Sequence, residues 1–180
     1  VKGLVGGGAR RLVERALAAT GPASGNVDTV LRAFLDAYAA EPAARTQVYP
    51  GACETLAALT EGGVALGIAT NKPQALTDAV LEALGLRPLF GSVIGSRDGL
   101  ALKPAPDILR LALAELGVSP ERAVMVGDSA ADVGAAQAAG VPVHLLAHGY
   151  NHGALTTLAA DAIHPDFASL RPVLIRVLSV

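Results

Sequence analysis

The sequence has few of the residues that mark disulfide-rich or membrane-spanning proteins. Its single cysteine, Cys53, excludes an internal disulfide framework and any multi-cysteine metal site. No run approaches the roughly 20 consecutive apolar residues that a helix needs to cross a bilayer. Aromatic residues make up 3% of the 180 residues and hydrophobic residues 52%, so we expect an aliphatic core. Cys53 lies in a helical pattern, and we expect it to be a small core residue.

A strong charge of one sign is also missing. The formal net charge of −2 argues against a nucleic acid or another polyanion as partner. The first residues, VKGLVGGGARR, lack the apolar stretch of a signal peptide. We therefore expect a soluble cytoplasmic protein with no nucleic-acid or membrane partner. The protein could form a homodimer, which the sequence does not decide.

The first 45 or so residues have a helical pattern and no strand signal. Apolar residues recur at helical spacing in ARRLVERALAAT and again in VDTVLRAFLDAYAAEP. The break between them offers Ser24 or Asn26 as the cap of the second helix. The pattern changes near Val48, where YPG indicates a turn. We predict a separate helical segment over residues 1–47 and an α/β unit over residues 48–180.

Short aliphatic runs alternate with helical patterns after Val48. The runs predicted as strands are VALGIAT (64–70), SVIGS, AVMVGD, PVHLLAHGY and a short last one in DAIHPD. Such alternation is typical of βαβ units and a parallel sheet, and continuous apolar strands suit a sheet covered on both faces. The predicted fold class is therefore α/β, with a Rossmann-like parallel sheet flanked by helices.

Polar residues follow the predicted strands at the points where the strands end. In an open parallel sheet, ligands bind outside these carboxyl ends. The residues at successive ends are Thr70-Asn71-Lys72, then Lys103, then Asp128 with Ser129 and Asp132, and finally His148-Gly149-Tyr150. Lysines and a threonine hydroxyl suit phosphate oxygens, whereas carboxylates at a phosphate site indicate an intervening hard cation such as Mg²⁺.

Each of these residues alone has an ordinary structural explanation. Thr70 could end a strand, Lys103 could be a solvated loop lysine, and Asp128 or Asp132 could stabilise the start of a helix. Their occurrence at three successive strand ends favours one shared site. The four histidines have no convincing ligand spacing, so we assign them no metal, and we expect His144 to be structural.

Three motifs give the chain its resemblance to a known family. GIATNK, LKPAPD and VMVGDSAAD resemble, in this order, the second, third and fourth motifs of the haloacid dehalogenase-like hydrolase superfamily. YPGACETLAAL resembles the entry into that family's core after a helical cap, so residues 1–47 would be a partial cap. The resemblance covers nearly the whole chain and is greatest to the phosphoglycolate phosphatase branch. The combination is specific, although each motif alone is weak.

The resemblance implies a phosphatase with a small phosphomonoester as substrate. Thr70 would bind the transferring phosphoryl group, with Asn71 and Lys72 beside it. Lys103 would hold the nucleophile and the phosphate together by charge. Thr70 and Lys103 would thus be the catalytic residues of this chain.

The resemblance also implies Mg²⁺ as the cofactor. Asp128 would ligate the ion. Asp132 would support the metal shell, either through water or by orienting Lys103. The metal would offset the repulsion between the two neighbouring carboxylates.

The family's first motif, DxDGT, does not occur in the sequence. It supplies the aspartate nucleophile and a second acid for an aspartyl-phosphate mechanism. Asp98 in SRDGL is the nearest look-alike, but it lies in the loop before Lys103. The resemblance places the missing motif after a central strand, between the strands that end at Thr70 and Val126. It therefore implies an amino-terminally truncated sequence and a sheet open in its middle.

Several functions stay open at this point. The chain could belong to an active phosphatase, or it could be an inactive remnant that binds phosphate compounds or a partner. A sugar-phosphate mutase would use the same core. A dehalogenase is disfavoured because it needs no Mg²⁺ site. A dinucleotide-binding module is disfavoured because GLVGGGARR follows no predicted strand.

Overall fold

A computed structural model of the chain describes residues 7–20, 26–149 and 155–178. The strands are β1 (Gly67–Pro73), β2 (Ser92–Ser96), β3 (Met125–Gly127), β4 (Val143–Leu146) and β5 (Ala162–His164). The helices are α1 (Ala9–Thr20), α2 (Val27–Ala40), α3 (Ala52–Glu61), α4 (Gln74–Ala83), α5 (Asp107–Leu116), α6 (Ala130–Ala139) and α7 (Phe167–Leu178). An α-helix follows each of β1, β2 and β3, and all strand pairs are parallel, which confirms the predicted α/β class.

The two helices α1 and α2 pack against each other at the start of the described chain. Val13 of α1 is buried, and Arg10 of α1 forms an exposed ion pair with Asp28 of α2. Asn26 caps α2, because its side-chain oxygen accepts a hydrogen bond from the backbone N–H of Asp28 at 2.8 Å. The alternative cap, Ser24, lies outside the described residues.

The strands form two parallel sheets. β1 pairs with β2, and β4 lies between β3 and β5. Within the described chain, β1 and β3 are not hydrogen-bonded to each other. The interruption falls where the family resemblance places an additional central strand. β1 also differs from its predicted bounds, because it starts at Gly67 rather than Val64 and continues past Thr70 to Pro73.

Helices cover both faces of the β3–β4–β5 sheet. Val143 and Leu145 pack with apolar residues of α5 and α6 on one face, whereas Leu146 packs with Leu59 of α3 and Leu170 of α7 on the other. This arrangement explains why the strand sequences are continuously apolar. None of the helices in the described ranges has the length and apolar character that a membrane crossing requires. The expectation for Cys53 is wrong, because this residue is exposed on α3.

A cleft of about 980 Å³ lies between the two sheets. We call it the intersheet cleft; β1 and β3 line it together with α3, α5 and α7. Most of the lining side chains are apolar, including Ile68 of β1 and Val126 of β3. Thr70, Lys72 and Lys103 also line the cleft, and Thr70 and Lys72 lie toward the carboxyl end of β1. The polar residues predicted at the strand ends therefore lie beside the apolar lining of the intersheet cleft.

Candidate active site

A buried ion pair between Lys103 and Asp132 lies at the carboxyl edge of the strands. The Lys103 Nζ is 2.6 Å from Oδ1 of Asp132, and it also donates a hydrogen bond to the carbonyl oxygen of Ala69 at 2.6 Å. The two side chains are only 10% and 7% exposed. Lys103 lies in the LKPAPD turn, and its peptide bond to Pro104 is cis. The ammonium group is therefore fixed between the end of β1 and the start of α6.

The second carboxylate oxygen of Asp132 accepts hydrogen bonds from the turn that follows β3. Oδ2 accepts hydrogen bonds from the backbone N–H groups of Asp128 and Ser129, both at 3.1 Å, and from the Ser129 hydroxyl at 2.7 Å. Burial raises the pKa of Asp132, but the Lys103 ammonium and these hydrogen bonds outweigh it and hold the pKa below its ordinary value. Asp132 is therefore a carboxylate at neutral pH.

Two glycines make room for the two aspartates. A Cβ atom at Gly127 would lie 2.3 Å from the Cβ of Asp132, and one at Gly149 would lie 2.1 Å from the Cβ of Asp128. No real side chain tolerates such distances. The Asp128 side chain is therefore packed against the backbone that follows β4. The sequence placed Gly149 at a strand end but gave no sign of this contact.

The two carboxylates are of the kind that Mg²⁺ binds, and Asp128 stays the predicted ligand. Both oxygens of Asp132 are already engaged, with Lys103 on one side and the turn on the other. The geometry thus favours the supporting role of Asp132 over direct ligation. The described residues hold no group of three or more histidine, cysteine, aspartate or glutamate side chains arranged around a metal. Mg²⁺ nevertheless often takes one or two carboxylates and completes its shell with substrate oxygens and waters.

Thr70 and Lys72 lie on the cleft side of β1. The Thr70 hydroxyl accepts a hydrogen bond from the backbone N–H of Lys72 at 3.2 Å, so its own hydrogen can point to a phosphate oxygen. The Lys72 ammonium donates a hydrogen bond to the hydroxyl of Tyr38 in α2 and lies 4.7 Å from the centre of that ring. A residue of the helical segment therefore reaches the site.

The Asn71 side chain bonds the backbone of Lys103, and its predicted phosphate contact stays a prediction. Its Nδ2 donates to the Lys103 carbonyl at 2.9 Å, and its Oδ1 accepts from the Lys103 N–H at 2.8 Å. Asn71 is not among the residues that line the cleft beside Thr70 and Lys72, and the pairing of β1 with β2 is irregular between Ala69 and Pro73. The Asn71 amide holds the Lys103 turn against β1. Asn71 is therefore a positioning residue in this structure.

No pattern in the sequence indicates the contribution of Tyr38. This residue shares the stripe of α2 that carries Phe34, and the two rings lie 6.0 Å apart. Such a stripe predicts packing between helices and nothing about a contact with a strand end. Only the placement of α2 beside β1 and α4 brings the phenol to Lys72.

A parallel α/β fold with a hydroxyl, lysines and carboxylates at one edge is typical of the open-sheet proteins that bind ligands at the carboxyl ends of their strands. Residues 2–140 match the family model of the haloacid dehalogenase-like hydrolases. The phosphoglycolate phosphatase of Rhodospirillum rubrum is 46% identical over 176 residues, which cover 94% of this chain and 73% of that relative. The chain belongs to the haloacid dehalogenase-like hydrolases, which confirms the resemblance drawn from its three motifs.

Solved structures agree with this assignment. A predicted phosphoglycolate phosphatase from Haemophilus somnus superposes with a TM-score of 0.86 at 28% identity, covering 96% of this chain and 80% of that one. CbbY from Rhodobacter sphaeroides, in complex with phosphate, gives a TM-score of 0.78 at 29% identity, covering 94% and 77%. In eight curated relatives, all named phosphoglycolate phosphatases, the chain spans from 57% to 76% of their length. These relatives are named as hydrolases of phosphate esters, which is the predicted enzyme class.

Proposed function

We propose that the protein is a cytoplasmic, Mg²⁺-dependent phosphomonoester hydrolase of the phosphoglycolate phosphatase type. It would convert 2-phosphoglycolate to glycolate and phosphate through an aspartyl-phosphate whose nucleophile lies outside this 180-residue sequence. Residues 1–47 would act as a partial cap over the core of residues 48–180. The observation that carries the proposal is the buried pair of Lys103 and Asp132, which borders the same cleft as Thr70.

The chain's own groups would bind and orient the phosphoryl group. The Thr70 hydroxyl would donate to one phosphoryl oxygen. The Lys103 ammonium, held by Asp132 and the Ala69 carbonyl, would direct its remaining N–H toward another. Mg²⁺ held by Asp128 would neutralise charge that develops on the transferring group. These groups would supply positioning and charge stabilisation, which dominate catalysis of phosphoryl transfer.

The intersheet cleft would accept the strand that carries the nucleophile. The edges of β1 and β3 that face it have no strand partner in the described chain, and its walls are largely apolar. A parallel strand inserted there would satisfy both backbone edges. Its carboxyl end would lie at the same edge as Thr70 and Lys103, because parallel strands end together. An aspartate directly after it would then face the phosphoryl group.

The proposal is tested by extending the chain with an amino-terminal segment that carries the DxDGT motif. We expect the extended protein to release phosphate from 2-phosphoglycolate in a Mg²⁺-dependent manner. Lys103→Met should reduce turnover about 100-fold or more, since a charge that stabilises the transition state is lost. Asp128→Asn should raise the Mg²⁺ concentration needed for activity. Asp98→Asn, which changes an exposed loop carboxylate, is the matched control and should have little effect.

Two outcomes would contradict this function. An extended, folded protein that releases no phosphate would leave the second candidate, a phosphate-binding protein without turnover. The lack of a DxDGT motif in the present sequence favours that candidate. A product that keeps its phosphate on another carbon would instead indicate the mutase alternative. Phosphate release and product analysis in one assay separate these three functions.

A further inference from the structure

The two lysines that line the intersheet cleft have partners of different charge. The Lys103 ammonium is neutralised by Asp132 at 2.6 Å. The Lys72 ammonium instead contacts the phenol of Tyr38, through a hydrogen bond to its hydroxyl and a cation–π contact at 4.7 Å. Among the described residues, no carboxylate lies within ion-pair distance of Lys72. Lys72 therefore brings to the cleft a positive charge that no described carboxylate balances by direct pairing.

The position of Lys72 suits a group next to the phosphoryl group. Lys72 follows Thr70 by two residues in β1, and both residues line the intersheet cleft, so they are close neighbours at this end of the strand. The Lys72 side chain is partly buried between β1 and α2, and its ammonium retains further N–H donors beside the one given to Tyr38. The Tyr38 hydroxyl accepts from Lys72, so its own hydrogen can be donated. The pair therefore offers donors and a positive charge, which together suit an anion.

We propose that Lys72 and Tyr38 bind a carboxylate on the leaving group, so that the site selects phosphate esters of small hydroxy acids. The inference rests on the proposed function, because it takes Thr70 and Lys103 to hold the phosphoryl group. The ring of Tyr38 fixes the ammonium, and its hydroxyl adds a second donor. Since Tyr38 belongs to α2, the helical segment takes part in choosing the substrate.

Binding to the 180-residue chain in the presence of Mg²⁺ tests this inference. Titration calorimetry would compare 2-phosphoglycolate, ethyl phosphate and inorganic phosphate, of which only the first has a carboxylate. We expect 2-phosphoglycolate to bind about 10- to 100-fold more tightly than ethyl phosphate, the range of a charge-assisted hydrogen bond. Lys72→Met should reduce this preference to less than about twofold, because it should weaken the binding of 2-phosphoglycolate far more than that of ethyl phosphate.

Three further variants locate the effect. Lys72→Arg keeps the charge and should retain most of the preference. Tyr38→Phe keeps the ring and removes the hydroxyl, so the preference should fall several-fold without disappearing. Tyr49→Phe is the matched control, because Tyr49 is an exposed phenol that contacts His148. It should leave the preference unchanged. Circular dichroism would establish that each variant is folded.

The outcomes separate the inference from the function on which it rests. If inorganic phosphate and ethyl phosphate bind but 2-phosphoglycolate shows no preference, only the inference is overturned. If Lys72→Met weakens all three ligands equally, Lys72 belongs to the phosphoryl subsite and the inference is again overturned. If none of the three binds to the folded chain, the proposed function and the inference both fail.

Discussion

At the scale of single residues, Asp132 links three parts of the site. One oxygen pairs with Lys103 from the loop before α5, and the other bonds the turn between β3 and α6. Ser129 and Asp132 bond each other's side chain and backbone at the start of α6 in the reciprocal manner of a capping box. A helix cap and an ion pair therefore share a single carboxylate, so a change at this position should affect both stability and phosphate binding.

We predict that Asp132→Asn lowers the free energy of unfolding at pH 7 by about 3–5 kcal/mol, because the Lys103 ammonium would stay buried without its partner. Urea denaturation of both proteins measures the difference. Asp98→Asn, at an exposed position, is the matched control and should change stability by less than about 0.5 kcal/mol. A loss below 1 kcal/mol for Asp132→Asn would show that the pair is well solvated.

The same variant has a predicted pH dependence. The folded-state pKa of Asp132 lies below its unfolded value, so its carboxylate stabilises the fold at pH values above the unfolded pKa of about 3.9. This stabilisation is lost as the pH falls through the folded-state pKa. The difference between the parent chain and Asp132→Asn should therefore be constant from pH 7 to 5 and shrink below about pH 4. A difference that grows on acidification would contradict this assignment.

The buried pair of His144 and His164 gives a second prediction. The Nδ1 of His144 lies 2.9 Å from the Nε2 of His164, so one of the two nitrogens must lack a proton. Burial lowers the pKa of His144, and the neighbouring ring adds to this effect. Protonation of His144 is therefore less favourable in the folded chain than in the unfolded one. Stability should fall as the pH drops from 7 to 5, as midpoints of urea denaturation would show.

His144→Gln should weaken that pH dependence. His148→Gln is the control, because His148 contacts Tyr49 and is not part of the pair. The control should keep the slope of the parent chain. An unchanged slope in His144→Gln would mean that other groups cause the loss of stability in acid.

At the scale of elements, α6 and the LKPAPD turn approach closely enough to set each other's position. A Cβ atom at Gly134 of α6 would lie 2.6 Å from the Cβ of Pro104. The ring of Pro104 cannot rotate away, and the preceding residue is Lys103. A side chain at Gly134 would therefore displace either the helix or the turn that carries the lysine.

The sign of the stability change in Gly134→Ala tests this contact. Within a helix, replacing glycine by alanine normally stabilises by about 0.5–1 kcal/mol. We predict instead a loss of about 1–3 kcal/mol from overpacking, with weaker binding of inorganic phosphate. Gly62→Ala is the control, because a Cβ there meets only ordinary contacts of 3.4 Å or more, and it should be tolerated. A stabilised Gly134→Ala would show that the turn moves without cost.

The sequence was informative about elements with a regular pattern. The continuous apolar strands were sufficient to predict the α/β class. The polar residues at their ends were sufficient to predict that Thr70, Lys103 and Asp132 lie at one edge. The sequence was less informative where the contacts of a residue depend on side-chain orientation or on packing between elements that are distant in the chain. The contact of Asn71 with Lys103 depends on the local path of β1, whose bounds were misjudged and whose pairing is irregular between Ala69 and Pro73. The role of Tyr38 depends on where α2 lies, which no local pattern encodes.

At the scale of the whole molecule, the intersheet cleft joins the fold to the function. It separates β1 from β3, is lined by apolar side chains, and is also lined by Thr70 and Lys103. In the proposed function, this chain provides the phosphate-binding groups, and the nucleophile belongs to a DxDGT motif that does not occur in the 180 residues. The central claim is that this chain holds a phosphoryl-transfer site that lacks its nucleophile.

Phosphate release from 2-phosphoglycolate by the purified 180-residue chain, in the presence of Mg²⁺, tests this claim most directly. We predict release at the background rate. Binding and charge stabilisation without a covalent route cannot reproduce the acceleration, many orders of magnitude, that enzymes give to phosphate monoester hydrolysis. Robust Mg²⁺-dependent turnover by this chain, lost in Asp128→Asn, would contradict the claim. Another acid of the chain would then be the nucleophile, and Asp98 would be the first to test.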